Sequence, residues 1–552
     1  MSVVYFGDSN FLGSTSNRVT IYSPRTTLTL SSTPNPSTLG QAVTLKALLE
    51  IAGGPPESQP TGSVRFSEAG RVLGGGVLSG DQATLVTTAL TVGIHTILAE
   101  YNGDAIWPAA SATSTYTVMA VVTMTPTVTP TRTAFGQSVT LTVNVGATIP
   151  PGFAAPTGDV TFTLPGYTLF APPISLGTAP LTSGAATLTL TTLPVGTQTV
   201  TARYSGDTTW TASSCVFPVT IEQTSTTSTV SLTPAGGQLL LTGSVVAAAP
   251  ASAPPTGSVN FTDSTTLRIV GTADLSQGAA TLSIPADSVS SVLGRPIAAV
   301  YSGDKNFQTS TSAPLPTIFN AASPSATTLA PESITSLFGV APLSGDSIAS
   351  TPLPTSLSGV NVKITDQAGN SRQTPLDGVF GSSGQINLAI PAGTVAGLAG
   401  VTVALPGGTT IQTATAIANV APGVFTANAM GEGPYAGQQI YVRPDGAQTV
   451  SNSYLIDGAA GGFVPNPIRL DDSGSSVYLV LYGTGIRGAA TVTATINGII
   501  VPVLYHGAQD GLPGLDQINL GPLPAGLAGA GTVTIALTAD GKQANRVTAA
   551  IQ

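Results

Sequence analysis

Four aspartates recur in one short pattern. Tyr5, Asp8 and Phe11, then Tyr101, Asp104 and Trp107, then Tyr204, Asp207 and Trp210, then Tyr301, Asp304 and Phe307 all stand as Y-x-G-D-x-x-(F/W). The copies are 96, 103 and 97 residues apart. An aspartate at a fixed place in a repeat could ligate calcium at a module junction, but calcium takes about six to eight oxygens, usually from several carboxylates. No second acidic residue recurs with it, so the pattern favours an aspartate that caps the amides of its own turn. The paired aromatics could form a sugar-stacking platform. At repeat-fixed positions they read better as core anchors, one closing a strand and one opening the next.

Other reactive residues are few. His95 stands where the next copies carry Gln198 and Arg295, which predicts a tolerant, partly exposed strand start. His506 follows the run Val501–Tyr505, and two histidines in separate domains do not make a metal site or a Ser-His-Asp triad. Asp471 and Asp472 precede Ser-Gly-Ser-Ser and read as a solvated turn. Cys215 has no Lys, Arg or His near it in sequence and reads as a small buried hydrophobe. Lysine occurs only at 46, 305, 363 and 542, which excludes a recurrent Lys–Asn isopeptide staple. There is no G-x-S-x-G elbow and no Walker loop. No catalytic, cofactor-binding or metal-ligating set emerges, and no cofactor is expected.

Composition narrows the field further. With 17 Lys+Arg against 26 Asp+Glu, binding of nucleic acid by phosphate neutralisation is excluded. Charged residues make up 8% of the 552, far below the usual share of about 25%, and that argues against a coiled coil or helical bundle. One cysteine excludes an intramolecular disulfide framework. Mean hydropathy is +0.32, yet no stretch reaches the roughly 18 apolar residues of a spanning helix. Residues 1–10 have neither a basic nor an apolar signal-peptide region.

The elements that carry the aspartates are strands. In Val43–Leu49 the odd positions are apolar, while Thr44 and Lys46 are polar. His95, Ile97, Ala99 and Tyr101 share one face, as do Gln198, Val200, Ala202 and Tyr204, and period-two alternation means strands with one buried face. Two further markers keep the same order: Pro60-Thr-Gly, Pro156-Thr-Gly and Pro255-Thr-Gly, and Gly40-Gln-Ala-Val-Thr-Leu45 with Gly136-Gln-Ser-Val-Thr-Leu141. They define modules at 24–120, 121–223 and 224–319, with about seven strands each, the pattern of an immunoglobulin-like sandwich. Residues 1–23 read as the last two strands of a partial copy, with the second strand at Asn17–Ile21. This predicts a piece of a longer secreted chain, or a hairpin that completes its sandwich with another chain.

After Asn320 a second duplication begins. Ile334–Gly339 parallels Leu479–Gly483, and Gly384-Gln-Ile-Asn387 parallels Asp516-Gln-Ile-Asn519. Residues 320–430 and 431–552 therefore read as two related β-sandwich halves, with a strand pair and a Gly-rich loop over 431–470. The fold class is all-β: tandem immunoglobulin-like sandwiches followed by that pair.

The modules resemble the bacterial immunoglobulin-like domain of group 3, over about residues 1–319. The last third is similar to the acidobacterial-type C-terminal domain of large secreted proteins. Its markers here are Asn320–Ser323, Leu329–Gly339, Leu353–Val360, Gly384–Asn387, Ala421–Phe425, Leu481–Gly485 and Gln517–Asn519; around 430–470 little matches. The resemblance implies an extracellular or envelope location and no established activity. The expected function is a non-enzymatic stalk or spacer with a terminal envelope-associated module, monomeric and without a transmembrane segment. The alternative is an adhesin-type module recognising a surface glycan or protein through the end loops or the C-terminal domain. Candidates there are Tyr435, Tyr441, Tyr454, Phe463 and Tyr505.

Overall fold

The computed structural model describes residues 1–166, 171–458, 462–470 and 474–552. The chain divides into two compact units, Met1–Glu222 and Gln223–Gln552. It is all-β, in tandem immunoglobulin-like sandwiches.

The first unit opens with a hairpin. Val4–Gly7 pairs with Leu12–Thr15, not with Asn17–Ile21, where the second strand was expected. The Asp8 turn sets this register: the Asp8 amide donates to the Phe11 carbonyl at 2.9 Å, so the return strand must start at Leu12. Tyr5 stands opposite Ser14, and in the later copies Tyr101, Tyr204 and Tyr301 stand opposite Ala110, Ser213 and Ser310. All four turns thus have the same offset.

Each of the two following modules packs a three-stranded sheet on a five-stranded one. In the first module Arg25–Thr33, Val43–Ala52 and Gln82–Thr87 form the smaller sheet. Val43, Leu45, Ala47 and Leu49 are buried as their spacing demands, and Val64, Phe66, Ile97, Ala99 and Tyr101 meet them from the larger sheet. Fully burying an aliphatic or aromatic side chain of this kind contributes about 1.5–3 kcal/mol. In both modules a short early segment runs parallel to the last strand. Ser37–Thr38 lies beside Val118–Met119, and Arg132–Ala134 beside Thr220–Glu222.

The second unit holds the third module and the C-terminal pair. The third module keeps the three-stranded sheet, but its other sheet has four strands and ends on Ser310–Thr311. No early segment pairs in parallel with that strand among the described residues. A 3-10 turn, Ala286–Ser291, replaces the plain connection of its predecessors.

Beyond it, two sandwiches repeat one frame. In the first, Ile334–Phe338 and Gln385–Ala389 are adjacent; in the second, Ser476–Thr484 and Asp516–Leu520 are. The first sandwich's last strand ends at Ile417, and Gly423–Val424 already pairs with Ser476–Thr484, so the change of sandwich falls ahead of 430. The described residues of 433–468 hold six short strands, where two were expected. The Gly and Pro residues there break the segment into two- to six-residue pieces that pair with three different sheets.

The halves are tied by polar contacts. The Asp516 carboxylate is buried, takes the Ile486 and Arg487 amides, and meets Arg487 Nε at 2.6 Å. The same guanidinium lies 3.5 Å from Glu332 of the first sandwich. Thr484 Oγ1 accepts the Ile334 amide at 2.7 Å.

Candidate functional site

The recurrent aspartate joins two of the sequence markers. Asp104 Oδ1 accepts the Ile106 and Trp107 amides, both at 2.8 Å. Its Oδ2 accepts the Thr61 amide at 2.8 Å and the Thr61 hydroxyl at 3.0 Å. The Tyr101 hydroxyl then donates to the Thr61 carbonyl at 3.1 Å. The arrangement repeats with Asp207, Thr157 and Tyr204, and with Asp304, Thr256 and Tyr301. So the Thr of Pro-Thr-Gly presents amide, hydroxyl and carbonyl to the Y-x-G-D turn.

These contacts settle the charge states. Amide donors from Trp107, Ile106 and Thr61 hold the Asp104 carboxyl well below the ordinary range. At Asp207 burial opposes ionisation, but amide donors from Thr157, Thr209 and Trp210 outweigh it and the carboxyl is again lowered. Burial, reinforced by the neighbouring carboxylate, pushes the phenols of Tyr204 and Tyr301 up to about 12. Among the described residues no group of three or more His, Cys, Asp or Glu could hold a metal ion.

The same loop receives the incoming chain. The Ala120 amide donates to the Thr209 carbonyl at 2.8 Å, and the Thr211 amide donates back to Ala120 at 2.9 Å. In the third module Thr224 takes the place of Ala120, bonded to Asn306 and Gln308. In the second and third modules the loop therefore clasps both the Pro-Thr-Gly strand of its own module and the segment that enters it.

Tyr101, Tyr204, Tyr301, Trp107, Trp210 and Phe307 are all buried, which removes their rings from any surface platform. The first copy differs. Tyr5 is 45% and Phe11 69% exposed, so they are not core anchors. Their hairpin has no opposing sheet among the described residues, and Asp8 Oδ2 takes the Tyr5 hydroxyl in place of a threonine.

His95 also departs from expectation. It is buried, with Nδ1 2.5 Å from Glu68 and Nε2 2.7 Å from the Thr91 carbonyl. Alternation puts it on the inner face with Ile97, and the position supplies a donor for the loop carbonyl. Gln198 does the same toward Pro194, while Arg295 turns to Asp263. His506 lies within the strand Val503–Ala508, not after it. Cys215 is half-buried, and burial raises its thiol pKa. Asp471 and Asp472 lie outside the described residues. Of the C-terminal aromatics, Tyr435 is fully buried, Tyr454 packs edge-on against Phe463 at 5.5 Å, and Tyr505 donates to the Ala508 carbonyl.

One recurrent feature escaped sequence reading. Gly74, Gly177 and Gly271 each sit under a leucine eleven residues later, at Leu85, Leu188 and Leu282. A Cβ there would come within 2.8, 3.1 and 2.4 Å of that leucine. The constant Gly-to-Leu spacing was the available signal.

Residues 30–120, 126–222 and 223–318 match the bacterial Ig-like domain (group 3), together slightly more than half of the chain. No curated protein matches. Among solved structures, the tetra-tandem repeat in the extending region of a large adhesion protein is 18% identical. It covers 72% of this chain and 100% of its own, with a TM-score of 0.30. Fibronectin(III)-like modules of Clostridium thermocellum CbhA are 13% identical, covering 35% and 94%, with a TM-score of 0.21. An I-band fragment of titin is 14% identical, covering 53% and 97%, with a TM-score of 0.26.

Proposed function

Because the chain belongs to the bacterial Ig-like domain (group 3) family, we propose that it is a non-enzymatic extracellular or cell-surface spacer. The C-terminal pair of sandwiches is its terminal, envelope-associated module, of the acidobacterial type that its motifs resemble. The observation that carries this reading is the repeated clasp. In each complete module the carboxylate, the threonine and the tyrosine hydroxyl are consumed by bonds that hold the Y-x-G-D turn to the Pro-Thr-Gly strand. A residue so engaged positions modules and is not free for substrate. The modules are monomeric in this reading, and any partner is a surface glycan or protein.

The test is fractionation of the native producer into cytoplasm, envelope and medium, with peptide mass spectrometry of each and protease shaving of intact cells. Peptides from residues 24–319 should appear in envelope or medium and be removed by shaving. Recovery from cytoplasm alone would overturn the reading.

A further inference from the structure

The first C-terminal sandwich carries a cleft of about 450 Å³ on the outer face of its Ile334–Phe338 and Gln385–Ala389 strands. Phe425 and Thr426, from the start of the second sandwich, line it as well. Phe319 and Phe338 line it, their rings 6.3 Å apart and tilted by 50°. Beside them Asn387 Oδ1 accepts from Ser336 Oγ at 2.9 Å and from Gln385 Nε2 at 2.7 Å. Those two bonds fix the amides. They leave the Asn387 N–H pair free to donate and the Gln385 carbonyl free to accept.

Asp377 completes the lining. It is the extra residue of a β-bulge: Leu376 stands opposite Leu388 and Gly378 opposite Asn387, with Asp377 between and unpaired in register. A bulge of this kind re-aims a side chain out of the alternation. The carboxylate takes no hydrogen bond or ion pair from the described residues, and burial alone raises its pKa. A half-buried carboxylate without a partner costs stability.

The second sandwich supplies an internal control. Its Gln517 and Asn519 make the same bond at 2.9 Å, and Tyr482 stands where the first has Phe338. It repeats the bulge too, between Val503 and Tyr505. The bulged residue there is Leu504, and Val480 replaces Ser336 opposite the asparagine. One frame is therefore built twice, with the carboxylate and the serine present in the first copy alone.

We propose that the cleft formed by Phe319, Phe338, Ser336, Gln385, Asn387 and Asp377 binds a neutral sugar residue of a polysaccharide. A sugar ring offers an apolar C–H face to the phenyl rings and hydroxyls that both donate and accept. Those hydroxyls satisfy the carboxylate, the free amide N–H pair and the free carbonyl together. An ammonium group would use only the acceptors and leave the Asn387 donors unmatched. This inference stands apart from the spacer role, and either can fail alone.

The test is saturation-transfer NMR on the full chain with cellotetraose, maltotetraose and mannotetraose, each at millimolar concentration. At least one should receive transfer at its ring protons. Asp377→Asn should weaken that binding about tenfold, the scale of a hydrogen bond to a charged group. Phe338→Ala and Asp377→Leu should abolish it, and Tyr482→Ala should leave it unchanged. Asp377→Leu installs the residue that the second sandwich already accommodates at its own bulge, so folding is preserved. Transfer to none of the three sugars overturns the proposal, as does transfer unaltered in Asp377→Leu. Transfer to lysine methyl ester with none to the sugars overturns it in favour of an amine.

Discussion

Thr157 gives both its backbone amide and its hydroxyl to a single oxygen of Asp207, each at 3.0 Å, across 50 residues of sequence. Two donors on one oxygen, with the Thr209 and Trp210 amides on the other, leave the carboxylate almost fully coordinated by its own module. Asp207→Ala should therefore destabilise the second module by about 1–3 kcal/mol, because it strands partly buried donors. Urea unfolding followed by Trp210 fluorescence in a Trp107→Phe background would measure this. An unchanged midpoint would show that the turn holds without its cap.

The same contacts make stability depend on pH at both ends. Asp104, Asp207 and Asp304 are lowered in the folded state. The unfolded chain therefore binds more protons in acid. Their contribution is full above the ordinary aspartate value of about 3.9 and is lost as pH falls from there through the folded values. Tyr204 and Tyr301 are raised to about 12, so their contribution is full below about pH 10 and is lost as pH rises from there to about 12. Thermal midpoints across pH should fall on both sides, and Asp207→Asn should flatten the acid limb. An acid limb identical in wild type and variant would contradict this account.

Gly54 leaves room for Trp107. A Cβ at residue 54 would come 2.2 Å from the indole. Gly54→Ala should cost about 1–3 kcal/mol through overpacking. The loss should appear in Trp107 fluorescence and not in that of Trp210, read in single-tryptophan variants. Equal shifts at both tryptophans would mean that the two modules unfold as one.

Arg487 is the counter-ion of a fully buried carboxylate. Arg487→Met should destabilise the C-terminal pair by about 3–5 kcal/mol, since Asp516 would be left buried and unpaired. Calorimetry on the full chain would show one transition lowered and the module transitions unmoved. A C-terminal transition that stays in place would mean that the amides of residues 486 and 487 suffice for Asp516.

What could be read in advance was what obeys a local period. Val43–Leu49 alternates and is a strand with those residues inside. The Y-x-G-D spacing located turns with one common register. The partner of each aspartate could not be read this way, because Thr61, Thr157 and Thr256 lie 43, 50 and 48 residues away. Both markers were visible, but the bond between them was not. His95 is buried where Gln198 is half-buried and Arg295 is exposed ahead of its strand, so the residues at the matching positions of the later copies were a poor guide to it. Asp377 was invisible for a different reason. A bulge inserts one residue into an alternation, so the pattern on either side still looks regular while one side chain leaves the face it should occupy.

The parallel pairs at the ends of the first two modules bear on how the chain carries load. Ser37–Thr38 lies beside Val118–Met119, and Arg132–Ala134 beside Thr220–Glu222. Tension drawn through the two ends of such a module acts along these strands, so their bonds are sheared together rather than unzipped one by one. Among the described residues the third module has no such parallel pair; its exit is held by the short antiparallel Ser310–Thr311 strand and by the Ser312 and Leu315 amides on Ala299 and Ile297. Lacking that parallel pair, the third module should open at lower force than the other two, as a mechanical fuse would, and single-molecule extension of the chain would show this as an earlier and weaker unfolding step.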